Sequence, residues 1–303
     1  MQTRYLGVLL LLGAVWGASF LFIKLGVQDF PPPTLVAIRL SVAALVLLAV
    51  LYARGLRLPR RARAWGDFLL TGCVGLVLPF VLITWGETSI PSNMAAILNA
   101  TTPLFTVLLA YIWTGEERLS GLRLLGVVLG FVGVLVVVGI ADISLASTST
   151  RGQLAVLVAS LCYGISNTYS RRAFRGLPPL IPATGQLLAG ALVITPLALA
   201  TQGIPAAPAP LAIGAVLTLA VFGTAMSNIL LYWLLEHVGA TRTSMVTYLL
   251  PPFALLYGAL FLRESITMNT ILGLALVVAG ILLANGALRW PAKSAALEPR
   301  TKN

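Results

Sequence analysis

Apolar runs of about the length that crosses a bilayer, joined by connections too short for a soluble domain, constrain this chain most. A hydrocarbon core of about 30 Å requires roughly 20 apolar residues per crossing helix. Ten segments answer to that description: residues 5–26, 34–53, 66–87, 92–113, 121–140, 152–170, 180–200, 210–234, 240–262 and 269–288. Backbone polar groups in lipid must be satisfied within the chain, and segments this long do so as helices. The expected fold class is all-α and polytopic, with ten transmembrane helices. Hydrophobic residues make up 58% of the 303 and charged residues 10%, where soluble domains carry about 25% charge.

Charge placement sets the orientation. A net charge of +11 would suit nucleic acid if the basic residues formed one face. They lie instead in short clusters between apolar runs, which suits anionic headgroups and topology control. Membrane lipid is therefore an expected partner and nucleic acid is not. With ten spans, the even-numbered connections and both termini share a side. That side holds 16 of the 20 basic residues, among them Arg54, Arg57, Arg60, Arg61 and Arg63. The opposite side holds Arg151 and Arg263, while Lys24 and Arg39 lie inside apolar segments. The bias places both termini in the cytoplasm and the chain in the cell inner (plasma) membrane. The first segment contains Trp16 and Lys24, is longer than a signal-peptide core and is followed at once by further spans, so it reads as a retained helix. Cys73 and Cys162 fall within apolar runs and form no disulfide framework.

The chain repeats itself. At an offset of 147, Gly17 matches Gly164 and Pro31–Pro32 match Pro178–Pro179; at 148, Trp85 matches Trp233, Pro103 matches Pro251 and Glu116 matches Glu264; at 147 again, Gly126 matches Gly273 and Gly133 matches Gly280. The expected organisation is a first repeat over 1–146, a second over 147–290 and a cytoplasmic tail over 291–303. Five helices per copy, an odd number, force the copies into opposite orientations. Inverted repeats are a recurring plan of secondary transporters, with the site at the repeat interface near the midplane.

Two proline-containing stretches frame that expected site, one from Ser92 to Glu116 and its copy beginning near Ala240. Pro103 and Pro251 each stand 13 residues before an acid, Glu116 and Glu264. A proline cannot donate its backbone hydrogen bond and displaces the carbonyl four residues earlier. Those carbonyls belong to Asn99 and Thr247. Pro79 and Pro252 are further expected break points. Irregular backbone at membrane depth is tolerated where it lines a cavity or is buried in protein.

Candidate substrate contacts are Trp16 and its repeat mate Tyr163, Asn99, Asn228, Tyr232 and Tyr248. Thr224, Asn228 and Tyr232 recur every four residues and form a polar stripe that faces protein or water. Trp16 reads equally well as a stacking platform or as a packing aromatic. Lys24, Arg39, Glu87, Glu116, Arg171 and Glu264 are expected in gating or charge pairing. Arg39 could snorkel to the outer end, pair with Glu87 or helix carbonyls, or receive a substrate carboxylate. Glu116 and Glu264 have Arg118 and Arg263 as adjacent partners. The acids Asp67, Glu87 and Glu236 fall at helix ends, which argues against a buried glutamate exchanging protons. One histidine, His237, and no HExxH or GxSxG motif leave no expected catalytic residue, metal or cofactor. Gly13-x-x-x-Gly17 and Gly126-x-x-x-Gly130 permit close helix approach. A monomer or weak homodimer is expected.

WGASFLFIKLG in the first segment, PPPTLVAIRL opening the second, AAILNATTPLFTVLLAYIWTGEERLS in the fourth and PPFALLYGALFLRESIT in the ninth resemble the EamA family of drug/metabolite transporters. The resemblance covers residues 5–288 and extends most closely to its aromatic amino acid exporter branch. It implies ten helices in two inverted five-helix repeats, no ATP, and transport, often export, of small metabolites, particularly amino acids. The resulting expectation is amino acid export by alternating access, with efflux of a lipophilic cation or nucleoside-like metabolite as the alternative.

Overall fold

The computed structural model describes residues 3–114, 121–139, 144, 146–203 and 205–285. Glu116, Arg118 and the tail over 291–303 lie outside the described residues. All regular structure among the described residues is helical: α1 (Thr3–Gly26), α2 (Pro32–Ala53), α3 (Ala62–Gly72), α4 (Leu78–Gly86), α5 (Ser92–Asn99), α6 (Thr102–Thr114), α7 (Gly121–Val138), α8 (Thr148–Ala173), α9 (Leu180–Thr201), α10 (Pro210–Ala220), α11 (Ser227–Thr243), α12 (Val246–Leu262) and α13 (Met268–Ala284). Prolines begin several of them. Pro32 and Pro210 occupy the first turns of α2 and α10, and Pro91 precedes α5. There the missing N–H has no intrahelical partner to lose.

Seven helical stretches are long and apolar enough to cross a membrane by length and composition: Thr3–Gly26, Pro32–Ala53, Ala62–Gly86, Ser92–Trp113, Gly121–Val138, Leu180–Thr201 and Pro210–Ala240. The apolar helices α12 and α13 are shorter, at 17 residues each. The 26-residue α8 is absent from the seven because its ends and interior carry polar side chains. Some of its polar groups bond to neighbouring helices: Ser160 Oγ donates to the Leu98 carbonyl at 3.3 Å, and Tyr169 donates its hydroxyl to Asp67 Oδ1 at 2.7 Å. Large apolar side chains such as Leu122, Leu125, Val128, Leu192, Leu260 and Phe261 stand exposed, a surface that suits lipid.

Two helices are interrupted by π-helical turns, Cys73–Val77 between α3 and α4 and Val221–Met226 between α10 and α11. The turns begin 148 residues apart, the same offset that relates the two proline motifs. In each, the next residue donates five residues back, Leu78 to Cys73 and Ser227 to Phe222. Pro79 explains the first, because its missing N–H forces the ladder to re-register. The second has Ser227 in the corresponding place, its hydroxyl donating to the Gly223 carbonyl at 2.8 Å.

The proline stretches differ from expectation. The first is interrupted at Ala100–Thr101, and Pro103 sits in the first turn of α6, where proline is tolerated. The second is not broken at its prolines. Pro251 and Pro252 lie inside α12, and the interruption falls earlier, at Ser244–Met245, after a left-handed Gly239 (φ 77°).

Packing contacts recur in mirrored pairs. Gly17 of α1 abuts Phe253 of α12, and Gly164 of α8 abuts Phe105 of α6. On α7 and α13, Gly126 meets Gly280 while Gly133 meets Gly273, so the two helices run antiparallel with their backbones in contact. One apolar core gathers side chains from α1, α2, α4, α5, α6, α7, α8, α10, α12 and α13; a second lies among α2, α3, α4 and α9.

Candidate functional site

The two cores meet at Tyr163. Trp16, Tyr163 and Tyr248 pack against the first core, and Tyr163 and Tyr232 against the second. Tyr163 faces Phe80 edge-on, with ring centroids 6.4 Å apart. Beyond Phe80 lies Arg39, 6% exposed, its guanidinium carbon 3.7 Å from the ring centroid. Arg39 Nε donates to Thr224 Oγ1 at 2.8 Å. The arginine therefore does not snorkel. It is held inside the molecule by a cation–π contact and one hydrogen bond. Its Nη groups have no hydrogen-bond partner among the described residues.

Thr224 reaches Arg39 because it lies within the second π turn, which takes it out of α-helical register with α11. The polar stripe is thus not a simple four-residue repeat. Asn228 donates its amide to the Thr224 carbonyl at 2.7 Å, within its own helix. Tyr248 accepts a hydrogen bond from Asn285 at 2.9 Å. Asn99 ends α5, its carbonyl accepting from Thr102 at 2.8 Å and from Ser160 at 3.4 Å. Its side-chain Oδ1 is buried with no hydrogen-bond partner among the described residues.

Charged residues and backbone groups tie the connections together at one end of the molecule. Lys24 Nζ donates to the carbonyls of Glu87 and Ile90, at 2.6 and 2.8 Å. Glu264 does not spend its carboxylate on neighbouring Arg263. Oε1 accepts from the Ser92 amide at 2.7 Å, and Oε2 accepts from the Ser92 hydroxyl and the Asn93 amide, both at 3.0 Å. An anion thereby caps the positive end of α5. Gly258 makes room for it, since a methyl there would lie 2.5 Å from Glu264 Oε2. Asp29 accepts from the Ala209 amide at 2.8 Å, Thr34 donates to the Gly203 carbonyl at 3.1 Å, and Ser89 donates to the Thr148 carbonyl at 3.1 Å. These bonds gather the connections α1–α2, α4–α5, α7–α8, α9–α10 and α12–α13 at a single end. Arg171 stands exposed in the last turn of α8, where a cation complements the helix dipole.

Glu87 differs most from its expected setting. It follows α4, yet it is 0% exposed, and neither carboxyl oxygen has a hydrogen-bond partner among the described residues. Lys24, Glu264 and Arg39 lie within electrostatic reach. Sequence position placed this acid at a helix end, and the fold buries it among the tied connections. Phe80, Ser92, Asn93 and Ser160 were not singled out in the sequence. Only Pro79, one residue before Phe80, signalled the first π turn. An apolar groove lined by Trp65, Gly66, Leu69, Ala189, Leu192 and Val193 holds none of the candidate residues.

The EamA-like transporter family model matches residues 4–139 and again 150–286. The chain is 25% identical to the uncharacterized transporter YoaV of Bacillus subtilis (strain 168), over 89% of this chain and 92% of that protein. It is 26% identical to the uncharacterized inner membrane transporter YedA of Escherichia coli (strain K12), over 95% and 92%. A probable terminal-alkyne amino-acid exporter of Streptantibioticus cattleyicolor is 27% identical over 91% and 92%. A solved crystal structure shares the fold with a TM-score of 0.68, at 20% identity over 94% of this chain and 97% of that one.

Proposed function

Because this chain belongs to the EamA-like transporter family, we propose that it is an inner-membrane secondary transporter exporting amino acids or similar small metabolites by alternating access. It crosses the membrane ten times, in two inverted five-helix repeats over 1–146 and 147–290, with both termini and the tail over 291–303 in the cytoplasm. Support comes from the two separate family matches, the π turns 148 residues apart and the mirrored glycine contacts. Trp16, Asn99, Tyr163, Asn228, Tyr232 and Tyr248 contact the solute. Lys24, Glu87 and Glu264 belong to the outer gate, and Arg171 and Glu116 to the cytoplasmic mouth. The working unit is a monomer or weak homodimer in lipid.

Arg39 is the observation that carries the substrate class. A cation buried at the junction of two apolar cores, with Nη donors unpartnered among the described residues, suits a carboxylate whose remainder is apolar. A relative named as a probable amino-acid exporter supports the same class. The test is a radiolabelled panel of the common amino acids and their decarboxylated amines in proteoliposomes. At least one amino acid should move, with its amine a poor competitor; if no amino acid moves, the assignment fails. The unpartnered carboxyl of Glu87 favours a second reading, efflux of a lipophilic cation or nucleoside-like metabolite. Competition by lipophilic cations in place of amino acids would select it.

A further inference from the structure

No charged group around Glu87 donates a hydrogen bond to its carboxyl oxygens among the described residues. Lys24, from α1, donates to two backbone carbonyls. Arg39, from α2, rests on Phe80 and Thr224. Glu264, after α12, is bound to the first amides of α5. From α8, Gly152 and Val156 pack against Gly86, and neither carries charge. From α5, Ser92 and Asn93 are turned to Glu264. Glu87 is thus enclosed with no donor for either oxygen.

An ionised carboxylate in that setting is strongly disfavoured unless it is paired. Its natural partner is Lys24, whose Nζ lies 2.6 Å from the carbonyl of Glu87 itself. An ion pair buried there would outweigh hydrogen bonds to neutral carbonyls. That the lysine is bound to the carbonyls instead fits a neutral carboxyl group. Glu87 is 0% exposed, and adjacent Gly86 packs directly on α8, where a methyl would come within 2.9 Å of the Gly152 carbonyl oxygen. What fits is a proton.

We propose that Glu87 is a proton-binding site that controls closure of the outer end. With that end open, the carboxylate meets external water and pairs with Lys24. It takes one proton from outside to become a neutral carboxylic acid, no bond to carbon changing. Neutralised, it can be buried as seen here, while Lys24 turns to the carbonyls of Glu87 and Ile90. Closure returns the carrier to the cytoplasmic side, so acid outside speeds export. The proton site stands on its own geometry; its role in export rests on the transport reading above.

Two measurements on the full chain in liposomes need no solute. Infrared difference spectra between neutral and alkaline pH should show a protonated carboxyl band lost in wild type, missing in Glu87→Gln and retained in Glu87→Asp. Identical spectra for wild type and Glu87→Gln would overturn the assignment. Second, Ile90→Cys in a Cys73→Ala, Cys162→Ala background should react several-fold faster with an impermeant maleimide as external pH rises. Adding Glu87→Gln should keep labelling slow at every pH, and Glu87→Asp should restore the response. The same pH response with and without Glu87→Gln would refute control of the outer end. If both measurements succeed and no amino acid moves in the panel, the transport reading alone has failed.

Discussion

The bond between Glu264 and α5 gives the sharpest prediction. The carboxylate takes two backbone amides and one hydroxyl across 172 residues of sequence. Ser92 is 1% and Asn93 4% exposed, so water cannot readily replace the acid. A hydrogen bond to a charged group contributes about 1.5–3 kcal/mol, and loss of an N-terminal cap costs about 0.5–2 kcal/mol. These overlap, since the cap is made of the bonds, and a partly exposed carboxylate gains less than a buried one. Glu264→Ala should then destabilise by about 3 kcal/mol. Glu264→Gln, which keeps one accepting oxygen but no charge, should cost about 1 kcal/mol. At roughly 2–4 °C per kcal/mol for chains of this order, the alanine variant should unfold about 6–12 °C lower in detergent. Hydrogen exchange should localise the change to the first turn of α5, which has only 8 residues to hold itself together. Unchanged protection at Ser92 and Asn93 in Glu264→Ala would refute the reasoning, whatever the global stability.

Gly258→Ala should mimic Glu264→Gln, because its methyl would come within 2.5 Å of Oε2 and push the carboxylate off α5; combined with Glu264→Ala it should add little further loss of melting temperature. Gly280→Ala would overlap the backbones of Gly126 and Gly130, forcing α13 off α7. A thermal shift assay should report a loss of about 1–3 kcal/mol. Asn99→Leu removes a side-chain oxygen that has no hydrogen-bond partner among the described residues, so expression and melting temperature should hold while transport falls. Normal transport by a well-expressed variant would mean that Asn99 only packs.

What the sequence disclosed, and what it did not, follows from distance along the chain. Apolar runs, prolines at helix starts and the 147–148 offset are local or periodic, and among the described residues seven helices of membrane length and the mirrored glycine contacts are present. Partners far apart in sequence were not visible. Glu264 stood out by its place after Pro251, yet nothing near it pointed to Ser92. Glu87 read as a terminal acid because it follows an apolar run, while in the fold it is 0% exposed beside Lys24, a residue 63 positions earlier in the chain. The second π turn had no proline to announce it. A proline pair read as a break in α12 lies inside a continuous helix, because packing against α1 at Gly17 holds that segment.

The side-chain polar atoms wholly shut off from solvent and left without a partner among the described residues are Thr84 Oγ1, both oxygens of Glu87 and Asn99 Oδ1. All belong to the continuous stretch from α4 through α5. Native folds satisfy most buried polar groups, and an exception asks for a reason. Here the exceptions flank the closed end, whose own bonds are numerous and well formed. The closed end is therefore locally satisfied while the segment that carries it is not, and that imbalance suits an element with two arrangements of comparable free energy. A solute or water reaching Thr84 and Asn99, and deprotonation of Glu87, would each stabilise the other arrangement. The ties at Lys24 and Glu264 oppose that change. Weakening them should shift the population toward the open end, so Glu264→Ala should raise maleimide labelling at Ile90→Cys even at a pH where Glu87 is neutral. Labelling no faster than in the otherwise unaltered carrier would mean that the α5 cap supports the fold and plays no part in opening.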